Sequence, residues 1–173
     1  MTADSLRDNP IRPPAVPLIA CDPYFSVWSR ANNLTDTCTS HWTGKRQSLT
    51  SLVRIDGVTY RLMGDAPAEL PALHQDSVVV LPTRTICEFS GHGVDITLTF
   101  VTPALPDDID ILSRPVTYLT WDVESTDGAA RDVALYFSAS GELAVDVPEQ
   151  EVAWGRVDSR TLDIVRIGST EQP

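Results

Sequence analysis

Lysine is almost absent from this chain. Of 13 basic residues Lys45 is the only lysine, against 24 acidic residues and a net charge of −11. A surface this acidic repels phosphate backbones and anionic headgroups, so neither a nucleic-acid partner nor a membrane-surface role is expected. Cysteine is scarce: Cys21, Cys38 and Cys87 are odd in number and widely spaced. They form neither a disulfide framework nor a CxxC metal signature, and reduced thiols are expected, with a Cys21–Cys38 bridge as the open alternative. Three histidines, His41, His74 and His92, stand far apart with no Cys or carboxylate at ligand spacing, so no metal site is expected. No apolar run reaches bilayer length. The opening "MTADSLRDNPIRPP" has no basic cap before an apolar stretch, so no signal peptide is expected. There is no GxSxG, no serine three residues before Lys45, and no phosphate cradle among nine dispersed glycines. No catalytic residue and no cofactor is assigned.

What is present is alternation. Val94, Ile96, Leu98 and Phe100 point one way, and Asp95, Thr97 and Thr99 the other, as in a half-wet strand. Val133, Leu135 and Phe137 repeat the pattern, as do Leu119, Trp121 and Val123. Turn chemistry falls between such runs: Asp56-Gly57 in "RIDGVTY", "STDGAARD" farther on, and Gly91 and Gly93 in "FSGHGVD". Strands are expected at 49–56, 58–63, 77–81, 83–90, 94–102, 115–125, 131–139, 142–147, 151–158 and 161–167. "LPDDIDILSRP" is expected to hold one helical turn, with Asp107 or Asp108 near its start. Many close-spaced strands and no long helix define an all-β chain, an antiparallel β-sandwich of two large sheets. The first 20 residues, with four prolines, read as an extended arm, and 21–173 as the sandwich domain.

The richest stretches are "CDPYFSVWSRANNL" and "HWTGK". Tyr24, Phe25, Trp28 and Trp42 supply large amphipathic surface, and Asp22, His41 and Lys45 are polar tips able to orient a ligand at its rim. The plainer alternative is that these aromatics staple the arm to the sandwich, with His41 satisfied locally and Lys45 solvated or paired. "DVESTDG" faintly resembles a calcium loop, but it lacks the later bidentate glutamate, and a hairpin turn explains it better.

The blocks "DPYFSVWS", "HWTGK", "RIDGVTYRLMG", "PTRTICEF", "LTFVTPALPDDIDILSRPVTYLTWDVESTDG" and "RIGSTEQP" are similar, in order, to the N-terminal region of the glutaminase A family. The resemblance runs from about Pro13 to the last residue. It implies a supersandwich-like β-sandwich that packs on a C-terminal (α/α)6 helical barrel. In the parent protein it implies hydrolysis of L-glutamine to L-glutamate and ammonia. The family's sequence continues past "EQP" into a linker and the helical domain that holds the expected catalytic carboxylates, so no family catalytic residue maps onto this chain. Family members are often secreted, at odds with the missing signal peptide, and the resemblance leaves the oligomeric state open.

The expectation is therefore a non-catalytic N-terminal sandwich module of a glutaminase-A-like amidohydrolase. Asp22, Tyr24, Trp28, His41, Trp42 and Lys45 would then form an interdomain contact or a substrate rim. The alternative is a carbohydrate-associated or carbohydrate-binding module of a glycoside-hydrolase-like protein, with Trp28, Trp42, Trp121 or Trp154 stacking on sugar rings.

Overall fold

The structure, a computed structural model, describes residues 13–171. Its strands are β1 (Val16–Ala20), β2 (Ser26–Ser29), β3 (Ser40–His41), β4 (Leu49–Ile55), β5 (Val58–Met63), β6 (His74–Leu81), β7 (Arg84–Gly91), β8 (Val94–Val101), β9 (Tyr118–Ser125), β10 (Val133–Ala139), β11 (Val152–Asp158) and β12 (Asp163–Ser169). A single helical turn, α1 (Ile109–Leu112), is capped by Asp108, whose side chain accepts from the Ile111 amide. The fold is the all-β sandwich expected from the alternation. Among the described residues no helix is long and apolar enough to cross a membrane.

Two sheets carry the core. One is β6-β7-β8-β9, the other β10-β4-β5, and every pairing within them is antiparallel. Register aligns the inward side chains in rows across the first sheet. Val78, Cys87, Leu98 and Trp121 form one row, and Val80, Thr85, Phe100 and Leu119 the next. Cys87, Leu98, Phe89, Ile96 and Phe100 are buried against Leu49, Val53 and Ile55 of β4 and Tyr60 and Leu62 of β5. Each such side chain contributes about 1.5–3 kcal/mol when fully removed from water. Trp121 satisfies its indole N–H across the gap, donating to Ser51 Oγ at 3.1 Å. The opposite face of the first sheet stays wet. It carries Glu88, Thr97 and Asp122 in one row and Ser90, Asp95 and Glu124 in another.

A smaller sheet, β1-β2-β3, lies against β7 and β8. Residues 1–12 of the proline-rich stretch lie outside the described residues. From Val16 the chain is a strand with Val16, Leu18 and Ile19 buried, and its register shifts between Pro17 and Ile19, where the Pro17 carbonyl accepts from Thr85 Oγ1. A strand was expected at 142–147, and the structure corrects this. Gly141–Ala144 is a 3-10 turn, with the Ser140 hydroxyl accepting from the Glu142 amide. The side chain of Glu142 in turn binds the Ser48 amide and the Ser140 hydroxyl. These local bonds outweigh the alternation of "ELAVDV". The β11–β12 hairpin leaves this turn and packs mainly on it. No disulfide forms among the described residues, Cys21 and Cys38 included, and Cys87 is buried.

Three turns meet at one end of the sandwich. Asp56 and Gly57 both take positive φ, as a tight hairpin requires, and so do His92 and Gly93. A Cβ on Gly93 would overlap the Arg131 guanidinium as that group is placed here, in addition to straining the turn. Arg131 donates to Asp56 and to Asp127, and the His92 ring stacks on Tyr60 at 4.2 Å. The Arg131 hydrogen bond, then the Asp132 amide, hold the Asp56 carboxyl below its ordinary 3.8. The Ala129 amide, then Arg131, do the same for Asp127.

A carboxylate held lower when folded than when unfolded adds stability above its ordinary value, and that contribution is lost as pH falls through the folded value. Arg131→Ala should therefore flatten the acid limb of stability. The denaturation midpoint of the wild type should drop more than that of the variant as pH is lowered past 3.8. Parallel acid limbs in a urea titration at each pH would show that the cluster contributes nothing.

Candidate functional site

The turn between β1 and β2 is built on Asp22. Its Oδ1 accepts from the amides of Tyr24 at 2.7 Å and Phe25 at 2.8 Å, a side chain standing in for backbone in a tight turn. This leaves the Pro23 carbonyl facing outward. His41 Nε2 lies 2.9 Å from that oxygen, and Trp42 Nε1 donates to it at 2.8 Å. A carbonyl only accepts, so His41 carries its proton on Nε2. Its Nδ1 then accepts from the Thr43 amide and hydroxyl. Two ring donors from β3 and its following turn thus share one backbone oxygen on the neighbouring turn.

"HWTGK" is itself a turn. The His41 amide donates to the Lys45 carbonyl at 2.7 Å, and the Gly44 amide to the His41 carbonyl at 2.9 Å. Gly44 takes φ +99, which favours glycine. Arg30 clamps the outside, donating to the Trp42 carbonyl at 2.7 Å and the His41 carbonyl at 3.3 Å. The result is a rigid corner with apolar flanks turned to solvent. Tyr24 is 92% exposed and Trp42 55%, and the His41 and Trp42 rings lie 5.4 Å apart.

The structure gathers Asp22, Tyr24, His41 and Trp42 around Pro23. Trp28 does not join them. It is one position along from Val27, the register partner of His41, so it lies on the other face of the sheet, half-buried, with its N–H given to Ser26 Oγ. Lys45 turns away and donates to the Val145 carbonyl, 100 residues on. That contact borders a groove of about 640 Å³ lined by Phe25, Leu143, Val145 and Ile167 among others. Pro23, Phe25, Arg30 and Val145 complete the region. Phe25 stood out among the aromatics, but the other three act through backbone oxygens or a clamp that residue type alone does not flag. Among the described residues no group of three or more His, Cys, Asp or Glu side chains is placed to hold a metal ion. Chemically, the corner offers stacking and apolar contact with a fixed geometry.

These features define a class, an antiparallel β-sandwich bearing a braced aromatic corner. The comparisons with known proteins carry this further. A family model described as Domain of unknown function (DUF5127) matches residues 83–173, and another, Domain of unknown function (DUF4964), matches residues 2–75. The first covers more than half of the chain, and the chain belongs to the DUF5127 family. It is 33% identical over 144 residues to Glutaminase A of Aspergillus oryzae, a match that takes in 79% of this chain and 21% of that protein. The chain is an N-terminal glutaminase A-like region spanning about a fifth of that relative's length. No solved structure matches it.

Trp42→Phe keeps a ring and removes the donor to Pro23. It should lower the unfolding free energy by about 0.5–1.5 kcal/mol in urea titrations, the net worth of one hydrogen bond. No change at all would mean that the indole is held by stacking alone.

Proposed function

We propose that this chain is a non-catalytic N-terminal β-sandwich module of a glutaminase-A-like amidohydrolase. The parent protein hydrolyses L-glutamine with water to L-glutamate and ammonia. Its aromatic corner and the adjoining groove are the contact for a C-terminal helical-barrel domain that carries the reacting groups. One observation supports this most. The His41 and Trp42 ring donors are spent internally on the Pro23 carbonyl, while Tyr24 and Trp42 present their flanks outward. An aromatic surface whose imidazole and indole donors are already satisfied, with the Tyr24 hydroxyl alone still open, gains more by meeting another protein surface than by orienting a small polar substrate. The similarity to Glutaminase A supplies the reaction class.

The purified 173-residue chain should release no ammonia from glutamine, whereas the full parent protein should. Trp42→Ala in the parent should weaken the domain contact by about 1 kcal/mol or more, read as earlier thermal unfolding and faster proteolysis between domains, with KM unchanged. A raised KM at unchanged stability would place the corner at the substrate's rim instead.

A further inference from the structure

The last strands of the sandwich are patterned as core and exposed as surface. β10 lies on β4 in unbroken register, so Val133, Leu135 and Phe137 share a face with Ile55, Val53 and Ser51. Ile55, Val53 and Ser51 are buried. Leu135 and Phe137 remain 43% and 40% exposed. Topology gives the reason. β10 is the outermost strand of one sheet and β9 of the other. They lie against each other, with Trp121 edge-on to Phe137 at 5.7 Å. Among the described residues neither layer continues beyond that pair, and the inter-sheet core emerges between two strand edges that no described strand covers.

The β10 edge carries none of the usual protection. "VALYFSA" has no charge, no proline and no register shift, and Val133, Leu135, Tyr136 and Phe137 make it largely apolar and aromatic. Sheets whose edges face water guard them with lysine, proline, bulges or inward charge, because a bare edge pairs with any extended chain. A strand without such guards is suited to being covered. The cover must also satisfy a row of backbone N–H and C=O groups. An extended strand does so, and the side of a helix does not.

We propose that an extended strand from elsewhere in the parent polypeptide pairs with the free edge of β10. It lengthens that sheet and brings apolar side chains over Leu135 and Phe137. This rests on reading the chain as one part of a larger protein, and not on that protein's reaction. Three observations favour the parent polypeptide as the occupant. The match to Glutaminase A takes in only 21% of that relative, so most of the relative's length lies outside it. The open flank continues an apolar layer already formed by Trp121 and Phe137. The flank strands β9 and β10 both fall within the family unit at 83–173. A strand tethered in the same polypeptide also pays little association entropy.

The test is residue-resolved hydrogen exchange on the full parent protein. Alternate amides of β10 bond to β4 and are slow in any case, and those pointing to the free edge are the reporters. They should exchange at least about 100-fold more slowly than an open edge allows. Free exchange at these amides overturns the proposal. So does protection that appears only as protein concentration rises, which assigns the edge to a second copy. Independently, Phe137→Lys should lower the parent's Tm by at least about 4 °C, while Thr120→Lys on the wet face leaves it in place. Equal Tm values for the two variants count against the proposal, and should Phe137→Lys fail to fold, exchange in the unsubstituted protein decides. Neither readout involves glutamine, so loss of the proposed reaction class leaves this inference standing, and the reverse also holds.

Discussion

Everything in this molecule depends on two half-apolar sheets finding each other. A strand with period-two alternation has one face that must leave water, and only a second such face can cover it. Here the cover is achieved row by row. Val78, Cys87, Leu98 and Trp121 cross one sheet in register, and β4 supplies the layer beneath. The bond from Trp121 to Ser51 lets a large indole sit in that layer without an orphaned donor. The sandwich is also indivisible with respect to the two matched segments. β10, from the later one, pairs along its whole length with β4, from the earlier one. Neither segment closes its own core.

Around that core the molecule treats its margins differently. One end is tied by charge, where Arg131 draws together turns that are 75 and four residues away in sequence. The β1–β2 corner is tied by a neutral carbonyl, with Asp22 shaping the turn and Arg30 clamping the loop opposite. The flank between β9 and β10 is held by Trp121, through its contact with Phe137 and its bond to Ser51, and it is there that apolar side chains face solvent. The β11–β12 hairpin shares this character, with Trp154 75% and Val165 74% exposed. Two-stranded hairpins are marginal alone, so a packed partner matters most in this part of the chain.

Much of this was legible in the amino-acid order, for physical reasons. β4, β5, β7, β8 and β9 alternate cleanly because one of their faces is wet, and the Asp56-Gly57 and Gly91–Gly93 turns need the positive φ that those residues tolerate. The early part of β6 was not legible, because His74, Gln75 and Asp76 are all polar and the register shifts after Gln75. β1, β2 and β3 were hidden by prolines and by their short length. At the site, the aromatic richness of residues 22–45 was visible, but not its parity. Only the pairing of Val27 with His41 reveals that Trp28 faces away from the corner. Nor could composition show that Lys45 would reach Val145, or that a backbone oxygen would be the hub, since a carbonyl has no signature in a one-letter code.

That hub has an evolutionary corollary. The atom holding the His41 and Trp42 rings belongs to the main chain of Pro23, and the carboxylate shaping its turn belongs to Asp22, so Tyr24 contributes only its amide to the scaffold. Its phenol ring is a replaceable tile on a fixed mount. Relatives can therefore exchange that tile for another residue, and re-tune what the corner touches, without dismantling the mount itself.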